Sequence, residues 1–395
     1  MGLNNSLLKN KVFRVVMATD FIQQTSIWIR NIAVLYFVME VTNNNSIAVS
    51  MLTVLEYLPM FMFSFIGGTM ADRWDPKKTM IFGDLISSLS IVVILIFMLA
   101  GLWEVVFVCT FLSAIATQFS VPSSSVMFKR HIPVEQVTSA IGISQTFTSL
   151  YVVVGPIIGT FIYTNFGIKT SLIIISILFF ISAMVQINLP SGKEKDIAIR
   201  NSIKEEIYEG FRYVKSRKNL VIICVVFICI GLSQGIMQPL SVYVVMERLG
   251  LDKINLQWFT MMTGIGLFLG AAITSMVKSK SQKRKLFIAM ICFATAILIE
   301  ALSNIVIVTA VAYLIAGISL AFVQVICSSL ILNLVEENYV GRTSGIITPI
   351  LTLGVVIGSA GAGLLMNISS LIVAYIIASI LALVSAIASN RMEIE

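Results

Sequence analysis

Charge is scarce in this chain. Only 12% of its 395 residues are Asp, Glu, Lys or Arg, while 57% are hydrophobic; a soluble domain carries about 25% charged residues. No water-soluble core could bury so much apolar sequence, so lipid must solvate most of it. Histidine is nearly missing: His131 stands alone, which excludes a His-based metal cluster or catalytic pair. The five cysteines (Cys109, Cys224, Cys229, Cys292 and Cys327) lie inside apolar runs without metal-ligand spacing, and are expected to be reduced core residues rather than a disulfide framework. A nucleotide loop is lacking too. Gly264, Gly266 and Gly270 have the wrong spacing for a dinucleotide fingerprint, and no strand precedes them. A cleavable signal peptide is not expected, because the stretch before Arg14 is polar and the first apolar run is too long. These absences exclude an enzyme, a cofactor and a bound metal. A sensor would need a sizeable soluble domain, and the longest polar stretch is too short for one.

What is present is a series of long apolar runs. Twelve are counted, at roughly 12–39, 46–70, 79–101, 104–128, 137–164, 168–190, 219–246, 255–277, 285–303, 306–333, 343–367 and 369–389, most of them near the ~20 residues that cross a bilayer core. All but four of the 27 Lys and Arg lie at the termini or in the connections after even-numbered runs; the exceptions are Arg30, Lys169, Arg248 and Lys253. The net charge of +7 therefore reads as topology, with both termini cytoplasmic, and not as nucleic-acid binding. The fold class expected is an all-α membrane protein of twelve transmembrane helices in two six-helix bundles. Residues 1–190 form the first bundle and 219–395 the second. A cytoplasmic linker, 191–218, carries an amphipathic helix in which Ile203, Ile207, Phe211 and Val214 share one face.

Ionisable groups inside apolar runs are costly and so face a cavity or a partner. In the first run Asp20, Gln23, Gln24, Ile27, Arg30 and Asn31 fall on one side of a helix at 100° per residue. Asp20 has no basic residue at its depth, which makes it the proton-site candidate, with Glu56 of the second run beside it in that role. Folding the first hairpin antiparallel brings Arg30 level with Glu56, so the two are expected to pair. Glu300, near the outer end of the ninth run, is expected to snorkel to the surface.

The stretch Gly67-Gly68-Thr69-Met70-Ala71-Asp72-Arg73-Trp74-Asp75-Pro76-Lys77-Lys78 joins the second and third runs. It resembles the signature loop of the major facilitator superfamily: a glycine, three residues, Asp-Arg, two residues, then a basic cluster. Gly68, Asp72, Arg73, Lys77 and Lys78 match, whereas Asp75 and Pro76 stand where the pattern has glycine and arginine. Gly155-Pro156-Ile157-Ile158-Gly159 resembles part of the fifth-span motif of antiporters, and Gly341-Arg342 resembles a junction in macrolide and siderophore exporters.

The resemblance implies alternating access by two bundles built of inverted repeats. It is nearest to macrolide efflux pumps and the enterobactin exporter, and it implies proton-coupled export of a small organic molecule from the inner (cytoplasmic) membrane by a monomer. By that likeness spans one, four, seven and ten line the path. Gln24, Arg30, Asn31, Gln118, Gln234, Gln238 and Gln324 are then the substrate-binding candidates. Many drug antiporters carry an arginine near Ser113, and Arg30 is the candidate substitute. Gly68, Asp72, Arg73, Lys77, Asp84 and Arg342 are the gating candidates, with Asp72 expected at the start of the eleventh span. Arg30 favours an anionic, siderophore-like cargo, and the 19 methionines an amphipathic drug; the former is slightly preferred. Macrolide or multidrug efflux without a dedicated metabolite and proton-coupled uptake are the alternatives.

Overall fold

The computed structural model describes residues 7–190, 203–276, 282–336 and 339–393; within them the side chains of 65–73, 203–207 and 340–342, among a few others, are left out. Among the described residues the chain is helical, with no strand. In order come α1 (Lys11–Val41), α2 (Ser46–Arg73), α3 (Pro76–Leu99) and α4 (Val105–His131). The helical segment Val134–Gln186 is broken at Gly167 and is treated as α5 (134–166) and α6 (168–186). Then follow α7 (Ile203–Ser216), α8 (Lys218–Tyr243), α9 (Leu256–Met276), α10 (Gln282–Leu302), α11 (Val306–Leu334), α12 (Val340–Ile368) and α13 (Leu371–Ser389).

Local chemistry sets the helix ends. Asn10 accepts from the backbone N–H of Val12 at 2.8 Å and starts α1. Asn43 and Asn44 take positive φ (50° and 61°) in the turn after α1, and Asn45 then caps α2 through Ile47 N at 2.9 Å. Asp75 accepts from Lys77 N at 3.0 Å and Pro76 opens α3. That explains the departure from the family loop: Asp and Pro are the favoured pair for capping and starting a helix. Gly167 has φ 70° and ψ 179°, a conformation essentially confined to glycine.

Ten helical segments are long and apolar enough to cross a membrane. Val134–Gln186 counts once among them, and Lys11–Val41 is not among them, because its polar face lowers its mean hydropathy. Many large apolar side chains lie outward. On α3 Phe82, Ile86, Leu89, Val93 and Ile96 are exposed, while Asp84, Ser87 and Ser88 are buried. This inversion of the soluble pattern fits a lipid surround. The chain is a multi-pass membrane protein.

Two compact units are present, Met1–Phe37 with Met62–Arg200, and Val38–Phe61 with Asn201–Glu395. In the first, Ile29 of α1, Ile91 and Ile94 of α3, and Leu172, Ile175 and Phe179 of α6 form one core. In the second, α8 packs along α12 and α9 along α11. Both seams are lined by glycine. A Cβ on Gly231 or Gly235 would meet the carbonyl oxygen of Leu351 or Val355 at 2.2 and 2.3 Å, and one on Gly358 would meet Leu232 O at 2.3 Å. Gly266 faces Leu314 O at 2.2 Å and Gly317 faces Thr263 O at 2.3 Å. The glycines of α9 and those of α12 thus belong to two different seams, each with its own partner helix; helical spacing tells which face is small but not what meets it.

The expected amphipathic helix is docked at its C-terminal end. Val214 of α7 is buried in the core of the second unit with Leu220, Ile223 and Leu330, while Phe211 is exposed. Tyr213 stacks on Tyr339 with ring centroids 4.3 Å apart, and Arg217 pairs with Glu336 at 2.5 Å. Glu300 corrects an expectation. It does not snorkel: it is 1% exposed, since it faces α11 and α13 rather than the rim.

Candidate functional site

The polar face of α1 is where the first unit concentrates its chemistry. Between Asp20 and Ala33 the buried residues include Ser26 and Arg30 beside Ile29 and Ile32, and Gln23, Gln24 and Asn31 are half-buried. Asp84, buried on α3, is reached from two sides. Gln23 Nε2 of α1 donates to both its oxygens at 2.9 and 2.8 Å, and Gln186 Nε2 of α6 donates to Oδ2 at 2.8 Å. Asp20, partly exposed one helical turn before Gln23–Gln24, accepts a hydrogen bond from Ser144 Oγ of α5 at 3.0 Å. No basic side chain contacts Asp20 or Asp84 among the described residues. Two carboxylates thus stand on one side of the unit, held by neutral donors alone.

Arg30 lies nearly three turns beyond Asp20 along α1 and is 2% exposed. Its Nη2 and Nε donate to Asn31 Oδ1 at 2.8 and 3.1 Å, and its Nη1 donates to Ser113 Oγ of α4. The guanidinium therefore sits on the very position where many drug antiporters were expected to carry their own arginine. Between the acids and Arg30, Thr25 and Tyr151 exchange a hydrogen bond of 2.8 Å, and the Tyr151 hydroxyl also donates to Phe21 O at 3.1 Å.

The close approach of α5 to α1 explains its glycines. A Cβ on Gly155 would lie 2.3 Å from the Trp28 ring, and one on Gly159 would lie 2.8 Å from Trp28 O. Small residues at these two positions let α5 bring Ser144 and Tyr151 onto the α1 face.

The other sequence candidates are dispersed. Gln24, Gln118 and Gln234 are half-buried and Gln324 is exposed; none makes a side-chain hydrogen bond among the described residues, so their amides are uncommitted. Gln238 hydrogen-bonds the Tyr57 hydroxyl. Glu56 is half-buried on α2, in the segment grouped with the second unit. Lys77 caps the end of the first unit's last helix, donating to Ile187 O at 2.8 Å and Leu189 O at 2.6 Å. The side chains of Gly68, Asp72, Arg73 and Arg342 lie outside the described residues.

Three residues of this face were missed by sequence reasoning. Gln186 carries the one available signal, an amide inside the sixth apolar run. Ser144 and Tyr151 carry none, since serine and tyrosine are ordinary in a membrane helix.

Comparison with known proteins gives the context. A family model described as Major Facilitator Superfamily matches residues 16–359. The chain is 25% identical over 372 residues to an uncharacterized MFS-type transporter, YkuC, of Bacillus subtilis, covering 89% of this chain and 86% of that one. It is 23% identical over 369 residues to macrolide efflux protein A of Streptococcus pyogenes, with 90% and 88% covered. Among solved structures, the nucleoside transporter NupG superposes with a TM-score of 0.80 at 12% identity, over 96% of this chain and 98% of that one. A D-xylose–proton symporter superposes with a TM-score of 0.72 at 13% identity, over 96% of each chain. Identities this low carry the fold alone.

Proposed function

Because the chain belongs to the Major Facilitator Superfamily, we propose that it is a secondary active exporter of a small amphipathic organic molecule in a bacterial cytoplasmic membrane. It crosses the bilayer twelve times with both termini inside. Val134–Gln186 has 53 residues, a length of about 80 Å against a core of about 30 Å, so it returns at Gly167. Lys11–Val41 is the first crossing, its polar face turned from lipid.

The observation that carries the reading is Asp20: a partly exposed carboxylate on a membrane helix, held by one serine hydroxyl. Such a group takes and releases a proton with little rearrangement. Export is driven by protons entering as cargo leaves, and alternating access exposes the polar face of α1 to each side in turn. Arg30, Asn31 and the uncommitted amides Gln24, Gln118, Gln234 and Gln324 orient the cargo. The macrolide efflux relatives support an amphipathic drug-like cargo over the siderophore-like one. The buried guanidinium of Arg30 favours a second reading, an anionic metabolite, and the same experiment separates them.

Purified protein in proteoliposomes with an imposed pH gradient should move a macrolide faster than without it, and Asp20→Asn should remove the difference. Gradient-independent movement by the wild type would reject antiport. Movement of a hydroxamate or catecholate anion but no macrolide would select the anionic reading, and gradient-driven accumulation in the opposite sense would make the protein an uptake symporter.

A further inference from the structure

Glu300 has no place in the scheme above, yet it is the most anomalous polar group of the second unit. It is 1% exposed, and neither of its carboxyl oxygens has a hydrogen-bond partner. On neighbouring elements three more buried polar atoms lack partners: Thr309 Oγ1 and the Tyr313 hydroxyl of α11, and Nε of Arg248. Native interiors leave few such atoms unsatisfied, and a group of them in one region marks a place where something binds or changes partner.

The surroundings of Glu300 can be taken element by element. α11, α13 and the π-turn Val244–Arg248 all pack on α10. From α11 comes Tyr313, one turn beyond Thr309. From α13 comes Tyr375, whose hydroxyl donates to Met237 O at 3.5 Å. Glu300 is near enough to act electrostatically on both phenols. From the π-turn comes Arg248, whose Nη2 donates to Leu302 O at 3.1 Å, two residues past Glu300; Glu247 beside it is exposed. Among the described residues no cation contacts the carboxyl. An ionised carboxylate would stand uncompensated, whereas the Nε–H of Arg248 lacks an acceptor on an adjoining element and the neighbouring phenols of Tyr313 and Tyr375 interact with each other beside the acid.

We propose that Glu300 is a proton-binding site of the second unit. Its carboxyl carries a proton in this conformation. It releases that proton in another, in which Arg248 Nε–H and the Tyr313 hydroxyl donate to the carboxylate. The O–H bond of the acid breaks, the proton leaves to water, and two hydrogen bonds to the carboxylate replace it. The site rests on the membrane-transporter reading but not on antiport through Asp20.

The test is infrared spectroscopy of the full-length protein in liposomes, with protons as the probe. The carboxylic-acid C=O band present near neutral pH should be lost in Glu300→Gln. That variant should unfold at the wild-type temperature, because glutamine matches the neutral acid in shape. In the wild type the band should fade as pH is raised, and in Arg248→Met it should persist to a higher pH than in the wild type. If Glu300→Gln fails to fold, Glu300→Asp should keep a band at a shifted frequency. A full band in Glu300→Gln, an unshifted band in Glu300→Asp, or a band indifferent to pH would overturn the proposal. Loss of the band on adding sodium at fixed pH would overturn it in favour of a metal-cation site. Failure to export either a macrolide or a hydroxamate or catecholate anion, with the Glu300 band intact, would sink the export reading instead.

Discussion

A single methyl group added to Gly235 should destabilise the second unit, and the same methyl on Gly361 should not. At Gly235 the new carbon would lie 2.3 Å from Val355 O and 2.8 Å from Ser359 N. Both are backbone atoms of α12, so no side chain can rotate away. A carbon and a carbonyl oxygen tolerate about 3.3 Å, and the helix pair must therefore open by about 1 Å. Overpacking of this kind costs about 1–3 kcal/mol. Losing Cα–H···O contacts along the seam adds about 0.5–1 kcal/mol each. Against this, alanine improves an exposed helix by about 0.5–1 kcal/mol over glycine. The steric loss wins at Gly235. At Gly361 nothing lies within 4 Å, so only the gain remains. Thermal unfolding in detergent, followed by the monodisperse fraction on gel filtration, should show Gly235→Ala several degrees below wild type and Gly361→Ala at or above it. Equal midpoints for the two variants would refute the seam.

Other outcomes follow from the same contacts. Asp84→Asn turns one acceptor oxygen into a donor facing Gln23 or Gln186, and should cost about 1–3 kcal/mol, read as a lowered unfolding midpoint; an unchanged midpoint would mean the two amides do not hold the carboxylate. Arg30→Lys should impair transport nearly as much as Arg30→Met, since an ammonium cannot reproduce a fork that spans Asn31 and Ser113; transport kinetics of the two variants decide. Gly167→Ala should cost about 1–3 kcal/mol from backbone strain, whereas Asn44→Gly should be nearly neutral, and the same unfolding assay compares them. At the C-terminal end, a hydrogen bond from Lys218, then the Lys218 charge with Lys283 adding, holds the exposed Glu393 carboxyl below its ordinary value of 4.5. A depressed carboxyl contributes stability above its unfolded value and loses it as pH falls through the folded one, so hydrogen exchange at 390–393 should quicken on acidification below the ordinary carboxylate range and not on going alkaline.

The apolar runs were legible because length and hydropathy are properties of contiguous sequence, and helices cover them with ends shifted by a few residues. The α1 face was legible for the same reason: Asp20, Gln23, Arg30 and Asn31 lie on one helix, so their spacing fixes their side. What joins helices was not legible. Nothing local to Gln186 says that it reaches Asp84 about a hundred residues away, and a glycine stripe does not name its partner. Glu300 was misread because nearness to a helix end says how deep a residue lies but not which way it points. Asp75 and Pro76, departures when compared with a family pattern, are explained once they are read as a cap and a first helical residue.

A single carboxylate at Asp84 acts as a keystone for three helices. Sliding α1 against α6 would strain hydrogen bonds on both of its sides at once, and neither glutamine can let go without leaving an amide dry. Those three helices should therefore travel as one solid piece through any working stroke, and flexibility must be sought in segments that this acid does not touch.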